Sequence, residues 1–212
     1  MAFDIKVCGM GSPENAAAVS ALPGVTHVGF IYHPDSPRHR IGADMFAIRN
    51  ALDTKVKRVL VSVDALDKAV VPFVNSLDID VKQFHGTESP EACVRYREAV
   101  EVWKTVHVGP NWDPASLLPY VGKVSRFLLD TRSEVPGGSG KRFDWTLLEK
   151  YTYEVPFVLA GGIGPEHLDA LVQLDHPQFA GVDLNSRFET APGEKDVVLL
   201  APFVERLQSA RS

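Results

Sequence analysis

The sequence predicts a (β/α)8 barrel built as a single domain over residues 1–212, and three observations predict it. Eight short apolar or alternating stretches, rich in β-branched and aromatic residues, recur along the chain. Segments with helical spacing separate them, and regular alternation of strand and helix calls for parallel strands joined by right-handed crossovers. Cys8, Asp130, Gly161-Gly162 and Asp183-Leu184-Asn185-Ser186 each stand at the far end of such a stretch, the place where barrel enzymes carry their active sites.

The strand candidates lie near 3 to 8, 26 to 32, 57 to 63, 80 to 86, 102 to 108, 126 to 131, 155 to 160 and 179 to 184. A flavodoxin-like open sheet is the alternative, but it needs only five or six strands and leaves two stretches without a place. Helical spacing follows Ser12, an N-cap candidate before Pro13-Glu14, and recurs over 44 to 53, 66 to 76, 89 to 99, 114 to 121, 144 to 151, 165 to 173 and 195 to 208. Ser89-Pro90-Glu91 repeats the cap, proline and acid pattern. Barrels of this kind run to about 250 residues, so the loops here must be tight. The longest stretches without periodicity, 33 to 42 and 137 to 140, suit loops over an active site.

Composition bounds the function. At 45% hydrophobic, 212 residues can bury one sizeable core. Twenty-two basic against 27 acidic residues leave a net charge of -5, which argues against nucleic acid or an anionic membrane as partner. An anionic ligand must then be held by a local site. Cys8 and Cys93 are too few for a disulfide framework and fit a reducing cytoplasm. Met1-Ala2-Phe3-Asp4 lacks a basic segment followed by an apolar stretch, so no leader is expected, and no run approaches the roughly 20 apolar residues of a membrane span. A soluble, unprocessed protein is expected.

Several residues carry chemistry. Cys8 reads either as a small buried hydrophobe or, at a strand's end, as a nucleophile or proton acceptor. Asp130 follows Phe127-Leu128-Leu129, so partial desolvation is expected to raise its pKa and suit it to donate a proton. The alternative is a carboxylate satisfied by Thr131 and loop amides. Gly161, Gly162, Asn185 and Ser186 end the last two strands, where barrels hold phosphate on backbone amides. Arg38 and Arg40, in the loop after the second strand, offer guanidinium groups for a substrate carboxylate. His85 can bind substrate or orient neighbouring loops. Trp103, Trp112 and Trp145 read as packing residues. The seven histidines include no helical ligand pair, so no metal site and no cofactor are expected.

Lys6-Val7-Cys8-Gly9, Gly29-Phe30-x-Tyr32-x-Pro34-x-Ser36-Pro37-Arg38, Gln83-Phe84-His85-Gly86, Leu128-Leu129-Asp130-Thr131, Gly137-Gly138-Ser139-Gly140-Lys141-x-Phe143-Asp144-Trp145, Leu159-Ala160-Gly161-Gly162 and Pro192-Gly193-x-Lys195-Asp196 resemble, in order, the motifs of the phosphoribosylanthranilate isomerase family. The resemblance covers essentially the whole chain. It implies a cofactor-independent Amadori rearrangement of N-(5-phosphoribosyl)anthranilate in tryptophan biosynthesis. By the same resemblance Asp130 is the general acid and Cys8 the general base, and Arg38 holds the anthranilate carboxylate. Asp183 contacts a ribose hydroxyl, Gln83 and His85 line the substrate site, and amides around Gly161, Gly162, Asn185 and Ser186 bind the 5-phosphate.

The chain departs from the family pattern in places. Ser186-Arg187-Phe188-Glu189 stands where Ser-Gly-Val-Glu is usual, so an arginine either adds a cation to the phosphate site or crowds a backbone that must approach the anion. Leu60-Val61-Ser62-Val63-Asp64 replaces Gly-Val-Phe-Val-Asn, and His39 replaces the tyrosine after the loop arginine. These changes leave two other readings: a related phosphosugar barrel acting on a different aminoaldose phosphate, and a catalytically silent ligand-binding barrel. The expected partner is a small phosphorylated substrate, with the chain a monomer or homodimer.

Overall fold

The structure is a computed structural model that describes residues 3–65, 71–72, 75–131 and 144–211. Eight parallel strands close in chain order: β1 (Asp4–Cys8), β2 (His27–Tyr32), β3 (Lys57–Ser62), β4 (Val81–Phe84), β5 (Glu101–Val108), β6 (Arg126–Thr131), β7 (Phe157–Leu159) and β8 (Phe179–Leu184). Each falls within the stretch that the periodicity marks or a residue beyond it. Because β8 pairs back onto β1, the open-sheet alternative is excluded.

Successive side chains of a strand point to opposite faces, and in a closed barrel these are the helix-packed outside and the interior. In β1, Ile5 and Val7 join the large apolar cluster that includes Ala16, Val19, Leu200 and Phe203 of the surrounding helices. The alternate set is Asp4, Lys6 and Cys8. A smaller cluster of Val59, Val61, Val81, Trp103, Leu128 and Val158 fills the barrel, with Cys8 part of it. The N-terminal end is closed by polar residues. Arg126 Nε donates to Asp4 Oδ2 at 2.7 Å, and the Trp103 ring lies 5.8 Å from the Arg126 guanidinium and 4.9 Å from the His27 ring.

Around the barrel, Ser12 caps α1 (Pro13–Ser20) by accepting from Asn15 N, and Ser89 caps α3 (Pro90–Val94) by accepting from Ala92 N. α2 (Gly42–Ala51), α4 (Leu168–Gln173) and α5 (Val197–Arg211) pack around the same barrel. The connections after β5 and β6 differ from the α-helices expected there: 114 to 120 and 145 to 150 are 3-10 helices. In the first, Pro119 has no N–H to give an α-helical ladder. Of the helix expected over 66 to 76, only 71 to 72 and 75 to 76 fall within the described residues, and they are helical. The Gly137–Phe143 stretch lies outside the described residues. A small hairpin, β9 (Glu189–Ala191) and β10 (Glu194–Lys195), is not marked by the periodicity; Gly11 N donates to Gly193 O at 2.7 Å and ties it to the loop after β1. Among the described residues no helix is long and apolar enough to cross a membrane.

His27 couples this fold to pH. The residue is 2% exposed, its Nε2 has no hydrogen-bond partner among the described residues, and burial, helped by Lys57, Lys6 and Arg126, holds its pKa down at about 3. The unfolded chain takes up that proton near the ordinary histidine value of 6.5. Between the two values the unfolded state holds more protons, so the stability is fully present above 6.5 and is lost as pH falls toward 3. One such site contributes about 1.4 kcal/mol per pH unit. Denaturant titrations at several pH values are expected to show a shallower acid limb for His27→Leu than for the parent, by about that slope; equal slopes would remove His27 as a cause.

Candidate active site

Cys8 ends β1, 4% exposed, beside its register partner Gly29 of β2. A Cβ on Gly29 would lie 2.7 Å from Cys8 Sγ, so the thiol fills the space a side chain would need. Two residues earlier on the same inward face is Lys6, fully buried. Its Nζ donates to both carboxylate oxygens of Asp183 at 2.8 Å, and the two residues face each other in register across the β1–β8 seam. Burial works against charge on Lys6, but Asp183 and then Cys8 outweigh it and hold the ammonium above its ordinary pKa. Burial likewise pushes the Cys8 thiol up, while the charge of Lys6 pulls it back. Cys8 therefore rests as a thiol with a cation already in place for its anion.

A second ionic network lies against the loop after β1. Arg38, 8% exposed, donates from Nε to Glu189 Oε1 at 2.9 Å and from Nη2 to Oε2 at 2.5 Å. Glu189 also accepts from Lys195 Nζ and from Gly193 N, and Lys195 Nζ donates in turn to Asn185 Oδ1 at 2.8 Å. Burial opposes the Glu189 carboxylate, yet Arg38 and Lys195 hold its pKa below the ordinary value. Arg40 takes a different part: it donates to the carbonyls of Gly11 and His39 and fastens the two loops together.

The other side of the mouth belongs to β4, β5, β6 and β7. Asp130 of β6, with its side chain 19% exposed, has Oδ2 3.4 Å from His85 Nε2. The Nδ1 of His85 faces Thr105 Oγ1 at 3.2 Å and Gln83 Nε2 at 3.4 Å. Gln83 is buried, and its Oε1 has no hydrogen-bond partner among the described residues. Gly161 has φ +82°, and a Cβ there would meet Thr131 N at 2.4 Å and Asp130 Oδ1 at 2.5 Å, so only glycine lets the loop pack on the carboxylate. Asp130 and His85 lie close enough to Asp183 to act on its charge, which links this side to Lys6 and Cys8. The loops after β7 and β8 are joined by Arg187, whose Nη2 donates to Glu166 Oε1 at 2.6 Å. Ser186 is exposed beside it, and Gly162 is half-buried.

A family model described as N-(5'-phosphoribosyl)anthranilate isomerase matches residues 5–206. The chain belongs to the phosphoribosylanthranilate isomerase family. It is 39% identical over 206 residues to the N-(5'-phosphoribosyl)anthranilate isomerase of Parabacteroides distasonis, covering 96% of this chain and 92% of the relative. Among solved structures, the phosphoribosylanthranilate isomerase of Thermus thermophilus superposes with a TM-score of 0.84 at 31% identity, covering 98% of this chain and all of that one. A family structure in complex with reduced 1-(o-carboxyphenylamino)-1-deoxyribulose 5-phosphate gives 0.81 at 28% identity, covering 99% of this chain and all of that one.

The residues singled out from the sequence thus fall in two groups at one end of this family's barrel. Cys8, Arg38, Asp183 and Asn185 join the ionic networks, and Gln83, His85, Asp130 and Gly161 pack together opposite them. Lys6, Glu189 and Lys195 have no role that the sequence alone assigns. The signal for Lys6 is its phase: it shares the inward parity of Cys8 in a strand whose outward positions, Ile5 and Val7, are apolar. Replacing Lys6 with Met removes the nearest cation from Cys8. The Cys8 ionisation, followed by ultraviolet thiolate absorbance in a Cys93→Ser background, is expected to move to higher pH. A midpoint displaced by one pH unit lowers the thiolate fraction about tenfold at neutral pH. An unchanged or lower midpoint would contradict the electrostatic role of Lys6.

Proposed function

We propose that the protein is a phosphoribosylanthranilate isomerase, converting N-(5-phosphoribosyl)anthranilate to 1-(o-carboxyphenylamino)-1-deoxyribulose 5-phosphate in cytoplasmic tryptophan biosynthesis, with the whole chain working as one barrel domain. The observation that carries the reading is the pairing, in a chain of this family, of a buried thiol on β1 with a partly exposed carboxylate on β6, joined through Lys6 and Asp183.

Asp130 donates its proton to the furanose ring oxygen, which leaves C1 and becomes the C4 hydroxyl. The anthranilate nitrogen supplies its lone pair to form the protonated Schiff base. That cation is an electron sink and acidifies the C2 hydrogen, so Cys8, once it has released its own proton to solvent as the thiolate that Lys6 stabilises, takes the C2 proton as the C2–H electrons form the enolamine. Tautomerisation then places a proton on C1 and leaves the ketone at C2. Acid and base must hold opposite protonation states at one pH, which calls for separate environments. Cys8 faces Lys6 and Asp130 faces His85, so the two groups have different neighbours.

The remaining residues support binding. Glu189 engages the Nε and Nη2 edge of Arg38, and the Nη1 edge suits the anthranilate carboxylate. Gln83 Oε1 and the Asp183 carboxylate are acceptors for sugar hydroxyls, and His85 adds a ring nitrogen. Amides around Gly161, Gly162, Asn185 and Ser186 suit the 5-phosphate, since glycine lets the main chain approach an anion closely. The Arg187–Glu166 pair across this phosphate region also favours a second reading, in which the same chemistry serves a different aminoaldose phosphate.

Turnover is followed as loss of arylamine fluorescence with substrate made in situ from anthranilate and phosphoribosyl pyrophosphate. Cys8→Ala and Asp130→Asn are each expected to lose at least about 100-fold in kcat while staying folded; full activity in either would withdraw its role. Arg187→Gly is expected to raise KM with kcat kept, as for loss of a phosphate-site cation, whereas a lower KM would show that the arginine crowds the anion.

A further inference from the structure

Three neighbouring strands bring together a set of ligating groups that no local spacing in the sequence announces. His85 follows β4, His107 lies in β5 and Asp130 lies in β6, and one ligand atom from each falls within 4.8 Å of the other two. The 3.4 Å between His85 Nε2 and Asp130 Oδ2 already matches the edge of a tetrahedron drawn around zinc with bonds of about 2.0–2.1 Å. The His107 ring meets His85 edge-on, with centroids 5.5 Å apart and planes at 64°, and its side chain is exposed. With all three ligand atoms within 4.8 Å of one another, the side chains converge on a single point large enough for one ion.

The surroundings of His85 are those of a metal-binding imidazole. Its far nitrogen, Nδ1, lies 3.2 Å from the Thr105 hydroxyl. A hydroxyl accepting the Nδ1 proton fixes the tautomer that turns the Nε2 lone pair toward Asp130, as outer-shell partners do for metal-bound histidines. Exchanging the Gln83 amide ends would place its unsatisfied Oε1 on the same proton. Two imidazoles and one carboxylate select borderline divalent ions such as Zn2+ and Co2+ over Mg2+ or Ca2+, which prefer oxygen ligands throughout.

We propose that His85, His107 and Asp130 bind a single borderline divalent cation at the barrel mouth and that the bound ion switches turnover off. The site stands on the geometry of the three side chains. The loss of turnover rests on the proposed function, because an Asp130 oxygen coordinated to a metal cannot carry the proton that opens the sugar ring. The ion is thus an inhibitor of a reaction that uses none.

The test separates binding from activity. Chelator-treated full-length protein is titrated with Zn2+ against a chromophoric zinc indicator, and with Co2+ while its visible ligand-field bands are recorded; turnover is measured alongside. The parent is expected to bind one ion, to show bands of a four-coordinate Co2+ site, and to lose activity in parallel with binding. His107→Ala and His107→Gln keep Cys8 and Cys93, so they control for thiol coordination; both are expected to weaken binding at least about tenfold and to lose inhibition relative to their own chelated activity. No binding by the parent, or equal binding by the variants, would overturn the site. Binding through His107 with turnover intact would overturn the switch, and with it the role of Asp130 as acid, while the site itself stood.

Discussion

The ion pair between Lys6 and Asp183 is the interaction on which the rest of the barrel mouth depends. It spans the seam where the last strand meets the first, between two residues that face each other in register, with each oxygen of the carboxylate 2.8 Å from the ammonium. Removing two charges from water costs several kcal/mol per ion, and only tight, well-bonded geometry offsets that cost. Removing one partner would leave the other buried and uncompensated, a loss of about 3–5 kcal/mol. The pair therefore helps to fix how the barrel closes, and it also sets the field at Cys8, one inward position further along β1.

Charge in this region is arranged around the chemistry. Lys6, Arg38 and Lys195 contribute three cations, while Asp183 and Glu189 contribute two carboxylates, so the cluster around Cys8 carries one positive charge in excess. That surplus has the sign needed for a substrate carboxylate or for a thiolate as it forms. On the far side, Asp130 stands beside a histidine and a glycine loop rather than beside an ammonium group. The proposed base and the proposed acid thereby have different neighbours within one mouth. The middle of the barrel, filled by residues such as Val59, Leu128 and Val158, separates this polar end from the polar floor of Asp4 and Arg126.

Much of this is legible in the sequence because barrel strands impose a period of two and place chemistry at their ends. Cys8, Asp130 and Asp183 can be found by asking which polar side chain follows an apolar run, and the serine caps at Ser12 and Ser89 form as their chemistry dictates. The 3-10 helices after β5 and β6 stay hidden because short helical spacing does not distinguish i→i+3 from i→i+4 bonding. Lys6 stays hidden because a lone lysine in a strand ordinarily reaches water, and only closure of the barrel buries it. Glu189 reaches Arg38 across 151 residues of chain, and His85, His107 and Asp130 meet only because their strands are neighbours in the wall. Such contacts are products of topology, and no local pattern encodes them.

By the proposed function, Cys8 and Asp130 act on different atoms of one bound sugar. A crystal structure of this protein with reduced 1-(o-carboxyphenylamino)-1-deoxyribulose 5-phosphate tests it most directly. Cys8 Sγ is expected against C2 and an Asp130 oxygen on the C4 hydroxyl that derives from the ring oxygen, each within about 3.5 Å, with the carboxylate on Arg38. A ligand whose C2 lies away from Cys8, or whose C4 hydroxyl is met by a residue other than Asp130, would contradict it.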